Sequence, residues 1–302
     1  TKYTYGVALL NTPFFLIANM FADSYESSSG QTIYGMGVIA AALFYLLLGL
    51  WLLRLYLRRK GFSEQIIFFT LMCLFFGTNL YFYSVGEGGM SHVYSFCLFS
   101  GLLLLLDHLY QEPKTKYFLL LGLLFGLIVL IRPTNILLGL LILFYDLGKI
   151  HSIKERLLFW VKKWSYLLLA IGVAFLVLVP QFIYWHHISG DWIMYSYGNE
   201  GFIYWKKARI AKVLFSVQNG LFIYNPILAI SFIGLFMIIL KNKMNSRLIL
   251  IIVAIATYSF ASWWAWWFGG AYGHRAFVEF YALMSIPTAY FLQKISNNKW
   301  LK

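Results

Sequence analysis

Long apolar runs recur along the whole chain, and they limit the folds that it can adopt. Nine of these runs approach the length of about 20 residues that an α-helix needs to cross a bilayer. Hydrophobic residues make up 61% of the 302 residues and charged residues only 12%, whereas soluble domains carry about 25% charged residues. Backbone polar groups in lipid must be satisfied within the chain, so the runs indicate helices. The sequence therefore predicts an all-α polytopic membrane protein.

The predicted spans form a single transmembrane domain over residues 1–302. Their ranges are 33–56, 65–84, 91–109, 117–131, 134–148, 165–185, 220–240, 248–268 and 276–293. The apolar run 5–22 does not fit the alternation of the loops, because both of its flanks must lie outside. We therefore predict an interfacial helix or re-entrant segment within the outer segment 1–32. The chain starts at Thr1 without an initiating Met or a signal peptide, which predicts a further segment upstream.

Basic residues are divided unequally between the two sets of loops. Seventeen of the 24 Lys and Arg residues fall in one set and seven in the other. The positive-inside rule places the richer set in the cytoplasm, and the chain is predicted to be a multi-pass protein of the inner (plasma) membrane. The net charge of +13 is therefore a signal of topology. It requires no nucleic-acid partner, although a basic cytoplasmic face also attracts anionic membrane lipids.

Ionisable residues of both signs lie in the other set of loops, close to the ends of the apolar runs. Such groups are costly at the edge of the hydrocarbon region, so they mark candidate functional sites. These residues are Glu87, His92, Arg132, Asp191, Glu200, His274, Arg275 and Glu279. The sequence thus predicts a working site on the outer face of the membrane.

The segment GTNLYFYSVGEGGMSHVYSF (77–96) is predicted to form a glycine-rich outer turn. Glu87 stands among Gly86, Gly88 and Gly89, and His92 begins the next helix. Glycine allows a backbone to approach a ligand closely. An acid and a His in one turn can bind a cation or hold a sugar hydroxyl, but two residues do not make a metal site. A solvated hairpin tip is an equally good interpretation.

The segment LIRPTNILL (130–138) contains a lone cation in an apolar stretch. Arg132 precedes the helix-breaking Pro133. The guanidinium group offers a fixed set of donors that suits a phosphate. The alternative is an Arg whose side chain extends to the outer head groups.

The segment ASWWAWWFGGAYGHRAFVEF (261–280) combines aromatic residues, glycines and a cation. Its tryptophans are Trp263, Trp264, Trp266 and Trp267. Tryptophan at this depth is commonly part of the interfacial belt, but a wall of rings beside Arg275 also suits a sugar or an anionic head group. Glu279 follows Arg275 by four residues, so we expect the two side chains to pair on one helix face.

A long outer segment covers residues 186–219 and exceeds ordinary connections in length. Its length suggests a lid or a binding loop, and its many aromatic residues argue against disorder. No nucleophile elbow, phosphate loop or HExxH motif occurs in the chain.

Several of these segments together resemble one family of membrane enzymes. Lys2-Tyr3-Thr4-Tyr5-Gly6, followed by LLNTPFFLIA, resembles the K-Y-P-P-G…PFF segment after the first outer loop of GT-C-type membrane glycosyltransferases. The segments 77–96, 130–138 and 269–287 resemble later stretches of the same family. This family includes lipid-linked aminoarabinose transferases and the protein O-mannosyltransferases of glycosyltransferase family 39. The resemblance spans nearly the whole chain and is diffuse between the motifs.

The resemblance implies a GT-C-like bundle that transfers a sugar from a polyprenyl-phosphate carrier to a glycan, lipid or protein acceptor outside the membrane. Glu87 occupies the place of the family's second acidic residue, and with His92 it is the catalytic candidate. The family's acidic base in the first outer loop has no match here and is expected upstream of Thr1. The predicted substrate-binding residues are Lys2, Tyr5, Arg132, Trp266, Trp267, His274, Arg275 and Glu279. No cofactor is predicted with certainty, and a divalent metal remains open.

Two other functions remain open at this point. A transporter, flippase or ligase of lipid-linked glycans would have ionisable groups near the bilayer midplane and two related halves, and the sequence shows neither beyond Arg132. A scaffold without catalysis would use the outer polar residues only to close helix ends. The transferase hypothesis requires Glu87, Arg132, His274 and Arg275 to surround one ligand-sized pocket.

Overall fold

In a computed structural model of the chain, the structure describes residues 4–22, 33–146, 153–195, 197–241 and 245–297. These residues form fourteen α-helices and two 3-10 helices and contain no strand. The α-helices are α1 (Gly6–Asn19), α2 (Ile33–Arg59), α3 (Glu64–Phe76), α4 (Leu80–Val85), α5 (His92–Gln111), α6 (Thr115–Ile131), α7 (Gly139–Phe144), α8 (Ile153–Lys162), α9 (Trp164–Ser189), α10 (Ile210–Phe215), α11 (Leu221–Tyr224), α12 (Ile227–Ile239), α13 (Ser246–Ser262) and α14 (Tyr281–Ser296). The 3-10 helices are Pro133–Leu138 and Arg275–Phe280. The predicted all-α class is confirmed.

Three helices, α2, α5 and α9, are long and apolar enough to cross a membrane. Shorter apolar helices occupy most of the other predicted spans, among them α3, α6, α12 and α13. The helical structure is therefore compatible with insertion into a membrane. The number of nine spans stays a prediction.

Helix α5 forms the centre of the bundle, and α9 lies at its edge. In the most apolar stretch of each helix, 78% of the residues of α5 are buried but only 11% of those of α9. Helix α5 packs against α2, α6, α14 and the 3-10 helix Arg275–Phe280. Helix α9 packs mainly on α6, where a Cβ atom at Gly126 would lie 3.0 Å from Ala174 Cα. The absence of a side chain at Gly126 therefore allows the two backbones to approach closely.

Charged clusters lie at both ends of α5. At one end Asp107 accepts hydrogen bonds from Arg59 Nε at 2.6 Å and Lys60 Nζ at 2.5 Å. His92 lies at the other end, fifteen residues earlier in the sequence, and the helical rise places it about 22 Å away. We call these the Lys60 end and the Arg132 end of the bundle, because Arg132 contacts His92.

Two predicted spans are interrupted close to the Arg132 end. The run 65–84 divides into α3 and α4, and the run 220–240 divides into α11 and α12 at Asn225 and Pro226. The breaks face each other, because Asn79 N donates to Asn225 Oδ1 at 2.6 Å. The side-chain oxygen of Asn225 thus accepts a hydrogen bond from a backbone N–H group that, in a continuous helix, would donate to a carbonyl group of the preceding turn.

The predicted N-terminal helix is confirmed as α1, which packs on α2 and on the end of α6. Gly6 lies against Ile131, where a Cβ atom would approach the Ile131 side chain to 2.9 Å. Tyr5 fixes the start of the helix to α9, because its hydroxyl donates to Val177 O at 2.8 Å. Its interfacial or re-entrant placement stays a prediction.

The long segment 186–219, predicted as a lid or a binding loop, is shorter than expected and is attached to the bundle. Helix α9 continues to Ser189, so the connection begins near Gly190. Tyr204 N donates to Ser262 O at 3.0 Å and Arg209 N donates to Ala261 O at 2.9 Å. These bonds hold the segment against the end of α13. In this structure the segment is therefore packed against the bundle and does not form an open lid.

Candidate functional site

Three motifs that are distant in the sequence meet in one charged cluster. Glu279 Oε1 accepts a hydrogen bond from Arg132 Nη1 at 2.6 Å, and Glu279 Oε2 lies 3.1 Å from His92 Nδ1. Arg132 Nη1 also lies 3.2 Å from His92 Nδ1. The Glu279 side chain is completely buried, whereas that of Arg132 is 18% exposed. The cluster therefore consists of a buried carboxylate whose cationic partner reaches the surface.

The ends of three helices place these side chains. Helix α6 stops at Ile131, and Arg132 adopts an extended conformation before the 3-10 helix Pro133–Leu138. Pro133 cannot donate a backbone hydrogen bond, which explains the stop. His92 is the first residue of α5, and Glu279 lies in the 3-10 helix that precedes α14.

The predicted pairing of Arg275 with Glu279 is wrong. Both residues lie in a 3-10 helix, which has three residues per turn, so residues four apart point in different directions. Glu279 pairs instead with Arg132 and His92. Arg275 Nη1 lies 3.8 Å from Met90 Sδ, and a thioether is a weak acceptor. The guanidinium of Arg275 thus lacks a strong hydrogen-bond partner at Met90.

Positive charge exceeds buried negative charge around His92. Both Arg132 and Arg275 interact electrostatically with His92 and with His274. Burial lowers the pKa of His274 to about 3, so this side chain is neutral at physiological pH. The two guanidinium groups are therefore balanced by one buried carboxylate, that of Glu279. The exposed Glu87, which like Arg275 interacts with Tyr83, adds a second negative charge at the edge of this region. The region therefore has no large net charge, and its two guanidinium groups offer hydrogen-bond donors to an anion.

His274 is enclosed by the protein, which contradicts its predicted role in substrate binding. Its ring is completely buried, and its Nε2 atom donates to Trp266 O at 3.0 Å. Its Nδ1 atom faces its own main chain without a well-formed hydrogen bond. Rings of Phe260 and Phe268 surround it. His274 therefore positions the turn before Arg275 and does not present a group to a ligand.

The two catalytic candidates of the outer turn have different surroundings. Glu87 is exposed, and its charge interacts with Tyr83. His92 is buried, contacts Glu279 and packs against the Tyr83 ring. Within the ranges that the structure describes, no hydrogen bond or ion pair joins Glu87 to His92. They therefore do not form the acid–His pair that one outer turn suggested.

The remaining substrate-binding candidates that the structure describes form no hydrogen bond or ion pair with Arg132, although Tyr5 precedes Gly6, which packs on Ile131. Lys2 lies outside the described residues. The hydroxyl of Tyr5 is occupied by a main-chain carbonyl, which gives the residue a structural role. Trp266 is 6% exposed and lies under Lys212 Nζ, at 5.5 Å from the ring centroid. Trp267 is half-buried beside it, and their rings meet edge to face.

Two cavities in the described part of the structure do not contain the cluster. One, of about 350 Å³, is lined by Lys212, Ser216, Gln218 and Trp266 among others. The other, of about 270 Å³, lies between α1 and α2. Neither is lined by Arg132 or Arg275, so neither is the predicted pocket around Glu87, Arg132, His274 and Arg275. Arg132 contacts His92, and Arg275 lies within electrostatic range of it.

A buried polar network, which was not predicted from the sequence, lies next to the cluster. Tyr281 Oη donates to Asn79 Oδ1 at 2.6 Å, and Asn79 Nδ2 donates to Tyr272 O at 2.9 Å. Tyr272 N donates in turn to Tyr83 Oη at 3.0 Å. Two Asn residues close to helix breakers could have predicted it. Asn79 lies two residues after Gly77 in one apolar run, and Asn225 directly precedes Pro226 in another. Polar side chains at such positions often bond to the backbone where a helix is interrupted.

The cluster is poorly suited to a metal ion. Among the described residues no group of three or more His, Cys, Asp or Glu side chains has the arrangement to hold one. In addition, His92 Nδ1 contacts Glu279 Oε2 directly and Arg132 Nη1 binds Glu279 Oε1, so both carboxylate oxygens already have partners. The site can instead bind an anion through two Arg side chains.

Comparison with known proteins identifies no relative. No protein-family model, no curated protein and no solved structure matches the chain.

Proposed function

We propose that this protein is a GT-C-type glycosyltransferase that uses a polyprenyl-phosphate-linked sugar at the Arg132 end of its helical bundle. One observation carries the proposal: Arg132 contacts the buried Glu279, and Arg275 lies within electrostatic range of the same His92 that Arg132 contacts. Two fixed guanidinium groups suit the anionic phosphate of such a donor.

The two cations differ in their availability to a ligand. Arg132 is held by Glu279 at 2.6 Å and keeps part of its side chain exposed. Arg275 has the weak Met90 sulfur as its hydrogen-bond partner. Exchange of a thioether for a phosphate oxygen gains a charge-assisted hydrogen bond. Arg275 is therefore the principal phosphate-binding residue in this proposal, and Arg132 supports it.

The proposed reaction needs stabilisation of a leaving phosphate. The acceptor hydroxyl releases its proton to water, and its oxygen forms a bond to the anomeric carbon while the bond from that carbon to the phosphate oxygen breaks. The phosphate leaves with the electron pair, and the negative charge that it gains is stabilised by the two guanidinium groups. Glu87, exposed on the turn before α5, orients a hydroxyl of the sugar or of the acceptor.

The proposal also assigns an orientation in the membrane. The nine apolar runs span the inner membrane, the Lys60 end lies in the cytoplasm, and the Arg132 end faces outward. Exposed apolar side chains of α9, such as Leu168 and Phe175, then face lipid. The prenyl tail of the donor reaches the Arg132 end sideways from the bilayer.

The test is an assay of the full-length protein in proteoliposomes loaded with a labelled polyprenyl-phosphate sugar. The account predicts transfer of the label to an acceptor and loss of most of that transfer in Arg275→Ala. Lys207→Ala removes an exposed cation outside the cluster and serves as the control with unchanged transfer. Movement of the labelled lipid across the bilayer without sugar transfer would instead establish a transporter or flippase.

A further inference from the structure

Helix α8, at the Lys60 end, presents three different faces. Arg156 and Trp160 are buried and point into the protein. Ile153, Leu157 and Val161 are exposed, and their spacing of four residues places them on one side of the helix. Glu155 and Lys162 are seven residues apart and lie on the remaining side. A helix with a buried face, an exposed apolar face and a polar face is suited to the boundary between lipid and water.

The buried face of α8 crosses the ends of three other helices. Trp160 Nε1 donates to Leu143 O in α7 at 3.1 Å, and its ring meets Phe118 in the first turn of α6. Arg156 stacks on the ring of Tyr110, near the end of α5, with Cζ 4.1 Å from the centroid. A helix that touches the ends of α5, α6 and α7 runs across the bundle, so α8 lies close to the plane of the membrane surface.

The exposed apolar side of α8 continues into the lipid-facing side of α9. Val161 is 66% exposed and Trp164, the first residue of α9, is 63% exposed. The same stripe proceeds along α9 through Leu168, Ile171 and Phe175, all of them exposed. Because α9 is a candidate membrane span with only 11% of its apolar stretch buried, the adjoining stripe of α8 meets the same hydrocarbon.

Lysines lie along one border of this stripe. Lys154 and Lys162 are exposed on α8, and Lys163 follows directly, with its Nζ atom 5.2 Å from the Tyr166 ring centroid. Glu155 is the single acidic residue of α8. Lysines beside an exposed apolar stripe attract phosphate head groups of the adjoining leaflet. We propose that α8 is an in-plane membrane helix whose lysines bind anionic phospholipid at the Lys60 end.

This proposal is independent of the proposed transferase activity. Its first test is the retention of phosphatidylglycerol by the full-length protein, counted by native mass spectrometry after reconstitution in an equal mixture of anionic and zwitterionic lipid. The variant Lys154→Gln/Lys162→Gln/Lys163→Gln should lose affinity for the anionic lipid by about fivefold for each lysine. The control Lys206→Gln/Lys207→Gln/Lys212→Gln removes as many charges near the Arg132 end and should retain the lipid of this site. Equal retention in both variants would overturn the proposal.

A second measurement tests the depth of α8 without relying on lipid chemistry. In a background with Cys73→Ala and Cys97→Ala, a spin label is attached at Val161→Cys or at Glu155→Cys. The label at Val161 should be accessible to oxygen and protected from a water-soluble nickel complex, and the label at Glu155 should show the reverse. A label at Val161 that is exposed to the nickel complex, or immobilised by a second protein surface, would contradict an in-plane lipid helix.

Discussion

Glu279 determines the electrostatics of the Arg132 end. Its carboxylate is completely buried and bonds to Arg132 and His92 at once. A buried carboxylate is stable only when its charge is paired and its lone pairs accept hydrogen bonds. Removal of this one group therefore affects the cations around it more than removal of any exposed charge.

The first prediction concerns the pair formed by Glu279 and Arg132. Glu279→Gln leaves the mostly buried Arg132 without its counter-charge, so the free energy of unfolding in detergent should fall by about 3 kcal/mol. Glu87→Gln, at an exposed position, should change it by less than about 0.5 kcal/mol. Denaturant titration of both variants measures the difference. Equal stabilities would show that the pair is not a structural element.

The second prediction concerns the pH dependence caused by His274. Its pKa of about 3 in the folded protein compares with about 6.5 in an unfolded chain. Between these values the unfolded chain binds a proton that the folded chain does not, so stability is lost as the pH falls. The contribution of this residue is about 1.4 kcal/mol per pH unit.

The matched variant is His274→Gln, which keeps an N–H donor for Trp266 O but does not titrate. The free energy of unfolding should fall more between pH 7 and pH 5 for the native protein than for this variant. Parallel declines would mean that His274 is protonated, and hence solvated, in the folded state.

At the scale of elements, the turn between α13 and α14 carries Arg275. Gly273 has a φ of 65° there, and a Cβ atom would lie 2.9 Å from Tyr224 Cβ. Gly273→Ala should lower the free energy of unfolding by about 2–4 kcal/mol, through backbone strain and steric overlap. Gly270→Ala is the control, because open space surrounds that position and its φ is not positive.

Thermal unfolding in detergent compares the two alanine variants. We expect a lower midpoint of thermal unfolding for Gly273→Ala and an unchanged midpoint for Gly270→Ala. If both variants unfold at the midpoint of the native protein, the turn is not constrained by its contacts with Asn79 and Tyr224, and it does not hold Arg275 in place.

The sequence predicted most helices but not the interruptions that build the site. The length of the apolar runs predicts α2, α5 and α9, because the mean hydropathy of a long run depends on many residues and is little affected by any single one. The break at Asn79 depends on one amide that pairs with Asn225, 146 positions away. Likewise the pairing of Glu279 with Arg132 rests on a 3-10 geometry that the local spacing of residues did not reveal. Such contacts are determined by tertiary packing.

The same difference between local sequence pattern and tertiary packing applies to the residues of the site. The sequence brought attention to Arg132, Arg275, His92 and Glu279 because ionisable groups are rare beside apolar runs. Their proximity is seen only in the structure. Patterns in the sequence also suggested that His274 and Tyr5 bind substrate, yet His274 Nε2 and the Tyr5 hydroxyl each donate to a main-chain carbonyl.

At the scale of the whole molecule, the two ends of the bundle should lie on opposite sides of a membrane. In a background without Cys73 and Cys97, Arg58→Cys probes the Lys60 end and Trp192→Cys probes the Arg132 end, and both positions are exposed. A membrane-impermeant maleimide should label Trp192→Cys in intact cells and Arg58→Cys only after permeabilisation. Labelling of both in intact cells would refute the predicted topology.

The central claim is that the Arg132 end binds the phosphate of a lipid-linked sugar, and a binding titration tests it most directly. The full-length protein in nanodiscs is titrated with a polyprenyl phosphate, and the affinity of Arg275→Ala is compared with that of Lys207→Ala. Loss of a charge-assisted hydrogen bond predicts an affinity at least about tenfold weaker for Arg275→Ala and an unchanged affinity for Lys207→Ala. Equal affinities in the two variants would contradict the account.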